Sequence, residues 1–579
     1  MTNYVRFFHL QMQHCTFLAI ESTVTLGTLL LCLLLPNSYT AWFPWQGFRR
    51  FAQHRVRACL TVMLLSALGR LALLPIEPFA IPNVHDEFSY LLASDTLAHG
   101  RLANPTPALW HHFEQYYVLM QPTYSSRYGA AQPLFMAFGQ LLFSSPRVGI
   151  LLSMGLAAAS LCWMLQAYLP PEWAFAGGLL AVVRISWFSY FGNSYWGGSV
   201  AILGGCLLLG AAPRLARTMQ PRDGLLMASG MLLLANARPF EGAVLALPLG
   251  LYTLWTFLVQ RANPRVWLPG LTLLGAGAAW TAYYCYRVTG HLTFPWALYW
   301  QQWSMSPPFL FVKPNYAVHY QFMDQLVFNR DYEMAPYLRA NTAIGWFAEI
   351  LVKAMYQWLF FVFPALTPAL VGVIPTLRCK RNRVLIAAFT VASVGFISET
   401  WLQAQYTAVA AGVFYLVLVN GLRLMRVCGR RNVLWLKLLR GTVAAVVIMF
   451  FVRLIVVPVN TFPPNWGSRT EDIPGYQDIT GIMAAKPGKH LVMVRYRPNH
   501  FWGYSWINNG YDIPTQRIIW ARDTEPFESN QPLLCEFKDR QIWLLIPPEK
   551  GFVPPLDRTA RWDEAVAGRF LAPYPGGCE

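Results

Sequence analysis

Two carboxylates stand side by side behind an imidazole at His85-Asp86-Glu87, in the stretch IPNVHDEFSYLLASDTLAHGRL. A carboxylate so placed can take a proton from a hydroxyl, and its neighbours can hold or tune it. The same pair also suits a solvated first turn of a helix, where acids complement the dipole. Further on, Tyr124-Ser125-Ser126-Arg127-Tyr128 sets a guanidinium among tyrosines. Arg127, with Tyr128 beside it, can grip a phosphate through two parallel N–H donors. It can equally snorkel to lipid headgroups. Arg238 and Glu241, in NARPFEG, offer a reserve phosphate contact and a substrate contact, or a plain ion pair. Asn193, Tyr195 and Trp196, in NSYWGG, are candidate substrate contacts, because the two glycines admit a close backbone approach.

These residues need elements to hold them, and composition says which. The chain has 579 residues, of which 55% are hydrophobic and 13% charged. Soluble domains carry roughly 25% charged residues. Apolar segments of spanning length recur. Thr16–Leu35 is the first; it lacks a small-residue cleavage site and reads as a retained helix, with Glu21 an anomaly inside it. A second runs over 57–75. Ten more follow at 148–169, 173–190, 197–212, 223–239, 242–260, 267–286, 347–375, 384–399, 404–423 and 436–457. Ala131–Phe143 is apolar but too short to span, and reads as re-entrant or interfacial. Ser89–Leu102 reads as a surface helix with one apolar face.

The net charge of +17 falls in short clusters between apolar segments. Examples are Arg49, Arg50, Arg55 and Arg57, then Arg214, Arg217 and Arg222, then Arg378, Lys380, Arg381 and Arg383. Clusters of this kind set topology and lie on the cytoplasmic side, which argues against nucleic acid as a partner. With about twelve spans, both termini and two long loops, about 78–130 and 287–346, then face outward. Most acidic residues of the membrane part, among them Glu77, Asp86, Glu114, Glu241, Asp324, Glu333 and Glu399, fall at or near that outer side. Both loops are rich in aromatic rings, which suit an interfacial belt and also suit stacking on sugars.

The division expected is a membrane domain over 1–458 and a soluble unit over 459–579. The tail holds 14 of the 28 acidic residues and no span. His490–Tyr496, Arg517–Trp520 and Gln541–Ile546 read as short buried strands, so a small α/β unit is expected. Cys535 and Cys578 fall there and can pair if the compartment is oxidising. The ten cysteines show no CxxC and no metal-ligand spacing. A divalent metal remains possible at a phosphate site, but no ligand set identifies one.

In order and spacing, HDEFSYLL after a span, SRYGAAQPLFMAFGQLLF before a short apolar piece, then paired spans and a polar outer loop resemble the GT-C superfamily. That superfamily includes protein O-mannosyltransferases and the lipid A aminoarabinose transferase. YWGG, RPFEG, WARD and KDRQIWLL resemble a bacterial branch of it. The resemblance implies an all-α polytopic GT-C fold in the cytoplasmic (inner) membrane, with the site and tail facing the periplasm. It implies inverting transfer of a sugar from a polyprenyl-phosphate donor to a glycan, lipid or protein acceptor. The acidic pair maps to Asp86 and Glu87, with His85 beside them, and the donor-phosphate cation to Arg127. Two departures stand out. Gly129-Ala130-Ala131 occupies a place where relatives often have consecutive prolines. A late PHY-like motif is Gln403-Ala404-Gln405-Tyr406 here, without the His. Two rivals are carried forward. A flippase or transporter of a lipid-linked glycan predicts charges inside spans. A non-catalytic envelope-assembly protein predicts that Asp86 is dispensable.

Overall fold

The computed structural model describes residues 2–35, 45–79, 81–459, 473–498, 500–549 and 568–578. Helices fall on each of the twelve expected spans. Six are long and apolar enough to cross a membrane by length and composition: Pro146–Leu165, Gly198–Thr218, Pro239–Val259, Ala343–Arg378, Ala404–Cys428 and Val433–Ile455. The others are shorter, less apolar or more charged. The chain is a mostly helical, multi-pass membrane protein.

Local sequence explains where these helices begin. Five of them start with proline in the first turn: Pro146, Pro171, Pro221, Pro239 and Pro264. Proline has no N–H to leave unsatisfied there, and its φ already suits a helix. Small residues then let helices approach. A Cβ on Gly230 would lie 2.7 Å from the Gly204 carbonyl oxygen, so the helices Gly198–Thr218 and Pro221–Ala237 touch backbone to backbone. Dispersion and close contact of this kind hold helices together where no water is excluded.

The short apolar piece is a helix over Ala131–Phe143. Its 13 residues give about 20 Å of length, well short of a hydrocarbon core of about 30 Å. It turns back through Ser144, which is left-handed at φ 54°, onto Pro146–Leu165. Leu134, Phe138, Leu141, Leu142 and Phe143 are exposed along it.

Three short strands organise the first long loop: β1 (Asn104–Pro105), β2 (Val118–Leu119) and β3 (Thr123–Ser126), with β3 between the other two. The tail folds as a second sheet. Its strands β4 (His490–Val494), β5 (Ile518–Arg522), β6 (Gln541–Leu545) and β7 (Leu571–Pro573) lie in the order β5-β4-β6-β7. β4 pairs in parallel with both β5 and β6, whereas β6 and β7 are antiparallel. Every residue of β4 is buried, as the apolar run from Leu491 to Val494 requires. Cys535 and Cys578 form a disulfide.

The tail is not freestanding. Leu491, Met493, Ile519 and Leu533 share one apolar cluster with Leu92, Phe113, Val118, Met120 and Tyr124 of the first long loop. A four-stranded sheet of short strands needs a partner for its second face, and that loop supplies it.

Glu21, the anomaly inside the first helix, is fully buried between two guanidiniums. Arg184 reaches its Oε1 at 3.7 Å, and Arg453, from the last long helix, reaches its Oε2 at 3.6 Å. Removing one partner of a buried ion pair strands the other charge, at a cost on the order of 3–5 kcal/mol. Glu21→Gln should therefore lower thermal stability in detergent markedly. The triple change Glu21→Leu, Arg184→Met, Arg453→Met should recover much of the loss. A wild-type melting profile for Glu21→Gln would show that the triad contributes nothing to stability.

Candidate active site

Helix His85–Ala98 follows helix Arg55–Ala72 in the chain. Val84 before it is extended, and Asp86 and Glu87 fall in its first turn, where carboxylates face the free N–H groups. The three adjacent residues point to three different surroundings. The Glu87 carboxylate is buried and accepts backbone N–H groups from Asn83 and Tyr195, both at 3.1 Å. Burial pushes its pKa up to about 7. It fastens the NSYWGG loop to the start of the helix. His85 is stacked on Tyr116 at 4.0 Å and ringed by Tyr117, Phe328 and Trp502. Burial lowers its pKa to about 3, so the ring is neutral at physiological pH. Asp86 alone faces the tyrosine–arginine motif.

There the Tyr128 hydroxyl donates to Asp86 Oδ1, and Arg127 Nη2 donates to the same Tyr128 oxygen at 3.0 Å. One hydroxyl thus joins the candidate base to the candidate phosphate cation. The Arg127 guanidinium lies 3.4 Å from the centre of the Tyr117 ring, with Tyr128 and Tyr299 at 5.0 and 5.1 Å. A cation among aromatic faces keeps its charge while shedding water. Its Nε is buried with no hydrogen-bond partner.

Tyr117 carries the strain of this arrangement. Its φ is +63°, a rare conformation for a bulky side chain. Three contacts hold it. Its N–H donates to the Tyr299 hydroxyl at 3.0 Å. Its carbonyl accepts the Ser89 hydroxyl at 2.6 Å and the Arg127 N–H at 3.2 Å. The result aims the Tyr117 hydroxyl at Glu333 Oε1, 2.9 Å away. Glu333 belongs to the second long loop and brings a second carboxylate near Arg127. Burial raises its pKa to about 7 despite the opposing field of Arg127. Nothing in the local sequence marks Glu333 beyond its charge, and the 216 residues that separate it from Tyr117 hide the pairing.

The other candidates divide. Arg238 lies over the Tyr406 ring at 4.4 Å, beside Tyr90 and Tyr128, with Glu241 at 3.8 Å. Gly129 explains this proximity: a Cβ there would lie 2.2 Å from the Asn236 carbonyl oxygen. The loop after Arg127 therefore rests directly on the helix end that presents Arg238, where proline would not fit. Trp196 packs edge-on against Tyr190 and leaves its Nε1 without a partner. The side chains of Asn193 and Tyr195 bond other partners. Asn193 bridges Arg70, at 2.5 Å, and Glu77, at 2.9 Å. The Tyr195 hydroxyl accepts from Arg147 at 3.1 Å. Both residues brace the loop. Among the described residues no group of three or more His, Cys, Asp or Glu side chains is arranged to hold a metal ion.

No family model and no curated protein matches the chain. Among solved structures it is similar to ArnT from Cupriavidus metallidurans bound to undecaprenyl phosphate. That match has 12% identity over 85% of this chain and 92% of the other, with a TM-score of 0.47. It is also similar to the oligosaccharyltransferase of Archaeoglobus fulgidus in the apo form. There the identity is 12% over 84% of this chain and 69% of the other, with a TM-score of 0.40.

Glu333 gives the site a pH signature. Its folded pKa stands above the ordinary value of 4.5, so folding favours the protonated form. That contribution is complete below about pH 4.5 and is lost as pH rises through about 7. Thermal melts of wild type should fall across pH 5–8, and Glu333→Gln should flatten part of that fall. An unchanged slope would remove Glu333 from the titration.

Proposed function

We propose that this protein is a membrane glycosyltransferase of GT-C type. It takes a sugar from a polyprenyl-phosphate donor and passes it to a hydroxyl on the outer face of a bacterial cytoplasmic membrane. The reading rests on one observation: Asp86, in the first turn of a helix, and Arg127 share the Tyr128 hydroxyl. A lipid donor and an aqueous acceptor can meet there.

In the proposed reaction the acceptor oxygen attacks the anomeric carbon in line, and the bond from that carbon to the phosphate oxygen breaks. The acceptor's proton passes to Asp86. The electron pair leaves with the polyprenyl phosphate, whose growing charge Arg127 stabilises. Tyr128 holds base and cation in register and orients Asp86. Arg238 is a second cation for the same phosphate, one helix end away. Attack from the face opposite the phosphate inverts the anomeric centre. Trp196 and the rings about His85 form surfaces on which a sugar can stack.

Asp86→Asn keeps the size of the side chain and its bond to Tyr128 but removes the base. Transfer of labelled sugar from a polyprenyl phosphate in liposomes should fall by ~10²-fold or more, with protein level and donor binding little changed. Wild-type transfer by this variant would sink the mechanism. Carrier movement across the bilayer without transfer, by wild type and variant alike, would favour a flippase.

Arg127 makes a separate prediction. Arg127→Lys keeps the charge but loses the planar fork and its stacking on Tyr117, so donor affinity should fall in part. Arg127→Ala should lose more. Equal affinity across the three proteins would take Arg127 out of the donor site.

A further inference from the structure

The tail motif WARD is Trp520-Ala521-Arg522-Asp523, on and just after β5. Its arginine points out of the tail's own sheet. Arg522 Nη1 and Nη2 reach Asp324 Oδ1 and Oδ2 at 2.8 and 3.2 Å, a two-pronged pair across 198 residues. Both side chains are more than nine-tenths buried. The Tyr116 hydroxyl donates to the same Asp324 Oδ2 at 2.9 Å, and the Tyr116 ring is the one stacked on His85. Asp324 opens the short helical stretch that runs through Phe328 to Glu333.

Other tail contacts converge on the same place. Trp502 lies 4.4 Å from the Tyr332 ring and 5.0 Å from Phe328. The Arg522 carbonyl accepts from His112 of the first loop at 2.9 Å. The Tyr511 N–H donates to Asp95, on the helix that begins at His85, at 3.0 Å. The tail thus touches both long loops and the Asp86 helix, and its one buried ion pair to the second loop among the described residues is Arg522–Asp324.

We infer that the tail is a working part of the site, with Arg522 a positioning residue that holds the second long loop, and Glu333 with it, against the His85–Asp86 helix. A buried bidentate pair fixes orientation as well as distance. Without it, Asp324 is a buried charge with one tyrosine partner, and the loop relaxes toward water. Arg522 touches no reacting atom. It acts through Asp324 and Tyr116 on His85, and through the 324–333 stretch on Glu333.

The catalytic readout rests on the proposed transfer reaction, so the test carries a second readout that does not. Full-length wild type, Arg522→Met, Arg522→Lys and Tyr116→Phe are compared in detergent or nanodiscs. Tyr116→Phe keeps the ring on His85 and the Arg522–Asp324 pair and cuts only the tyrosine's own link, and Arg522→Lys serves if Arg522→Met folds poorly. Hydrogen exchange should rise by about 10-fold or more in 323–334 for Arg522→Met and by less for Tyr116→Phe, while the strands of the tail stay protected. Lysine, which keeps the charge without the fork, should restore part of that protection. Turnover should fall by about 10-fold or more with donor KM nearly constant, since misplaced groups cost rate before they cost donor binding. Exchange that rises evenly through β4, β5 and β6 would overturn the inference, because Arg522 would then only hold the tail together. So would unchanged exchange in 323–334. Localised exchange in variants of a wild type that transfers no sugar would uphold the latch and remove the transferase reading.

Discussion

A guanidinium held among aromatic rings without a carboxylate directly on it is the constraint around which the rest is arranged. Arg127 keeps its charge by lying on the Tyr117 ring and by bonding the Tyr128 hydroxyl, not by pairing with an acid. A direct carboxylate partner would satisfy it and leave little for a phosphate. Aromatic faces supply a modest attraction and leave N–H donors available. Asp86 and Glu333 then each stand one tyrosine away, near enough to feel the charge and too well separated to quench it.

That arrangement asks much of the backbone. Tyr117 sits in a left-handed conformation and Gly129 touches the end of a neighbouring helix. The Tyr117 conformation does not survive alone. Strain persists where the surroundings over-determine it, and here they come from Ser89 on the Asp86 helix, Tyr299 of the second loop and Arg127 itself. The long loops are therefore braced rather than loose, and the tail's sheet completes the brace by sharing a core with the first loop.

Much of this was legible in the sequence wherever one segment carries its own signal. Spanning helices announce themselves by length and apolarity. Ala131–Phe143 was recognisable because it is too short, and β4, β5 and β6 because an apolar run between turn-rich stretches has few other uses. Asp86 and Arg127 stood out through order and spacing. Signals that live between segments were not legible. Glu333 reads as one more loop acid until Tyr117 is folded against it. Asp324 and Arg522 look unrelated until the tail docks. Adjacency also misled: His85, Asp86 and Glu87 are consecutive, yet helical geometry turns them toward an aromatic cage, a hydroxyl and a backbone.

The distribution of charge bears on the choice between moving a lipid-linked sugar and transferring it. A carrier that cycles across the bilayer needs polar groups at depth that can exchange partners. Among the described residues, Glu21, Arg184 and Arg453 are buried among the helices and are spent on one another, while Glu349 and Lys353 also lie buried within the apolar stretch Ala343–Arg378. Both arginines also face Phe363, at 5.0 and 5.6 Å. Phe363 itself is held at φ +59°, so the helix breaks where the two guanidiniums meet it. Such a knot ties the first and last long helices to the body of the protein, and exchanging its partners would strand a charge in hydrocarbon. The groups proposed to meet a substrate, Asp86, Arg127 and Arg238, belong to a different cluster from that knot.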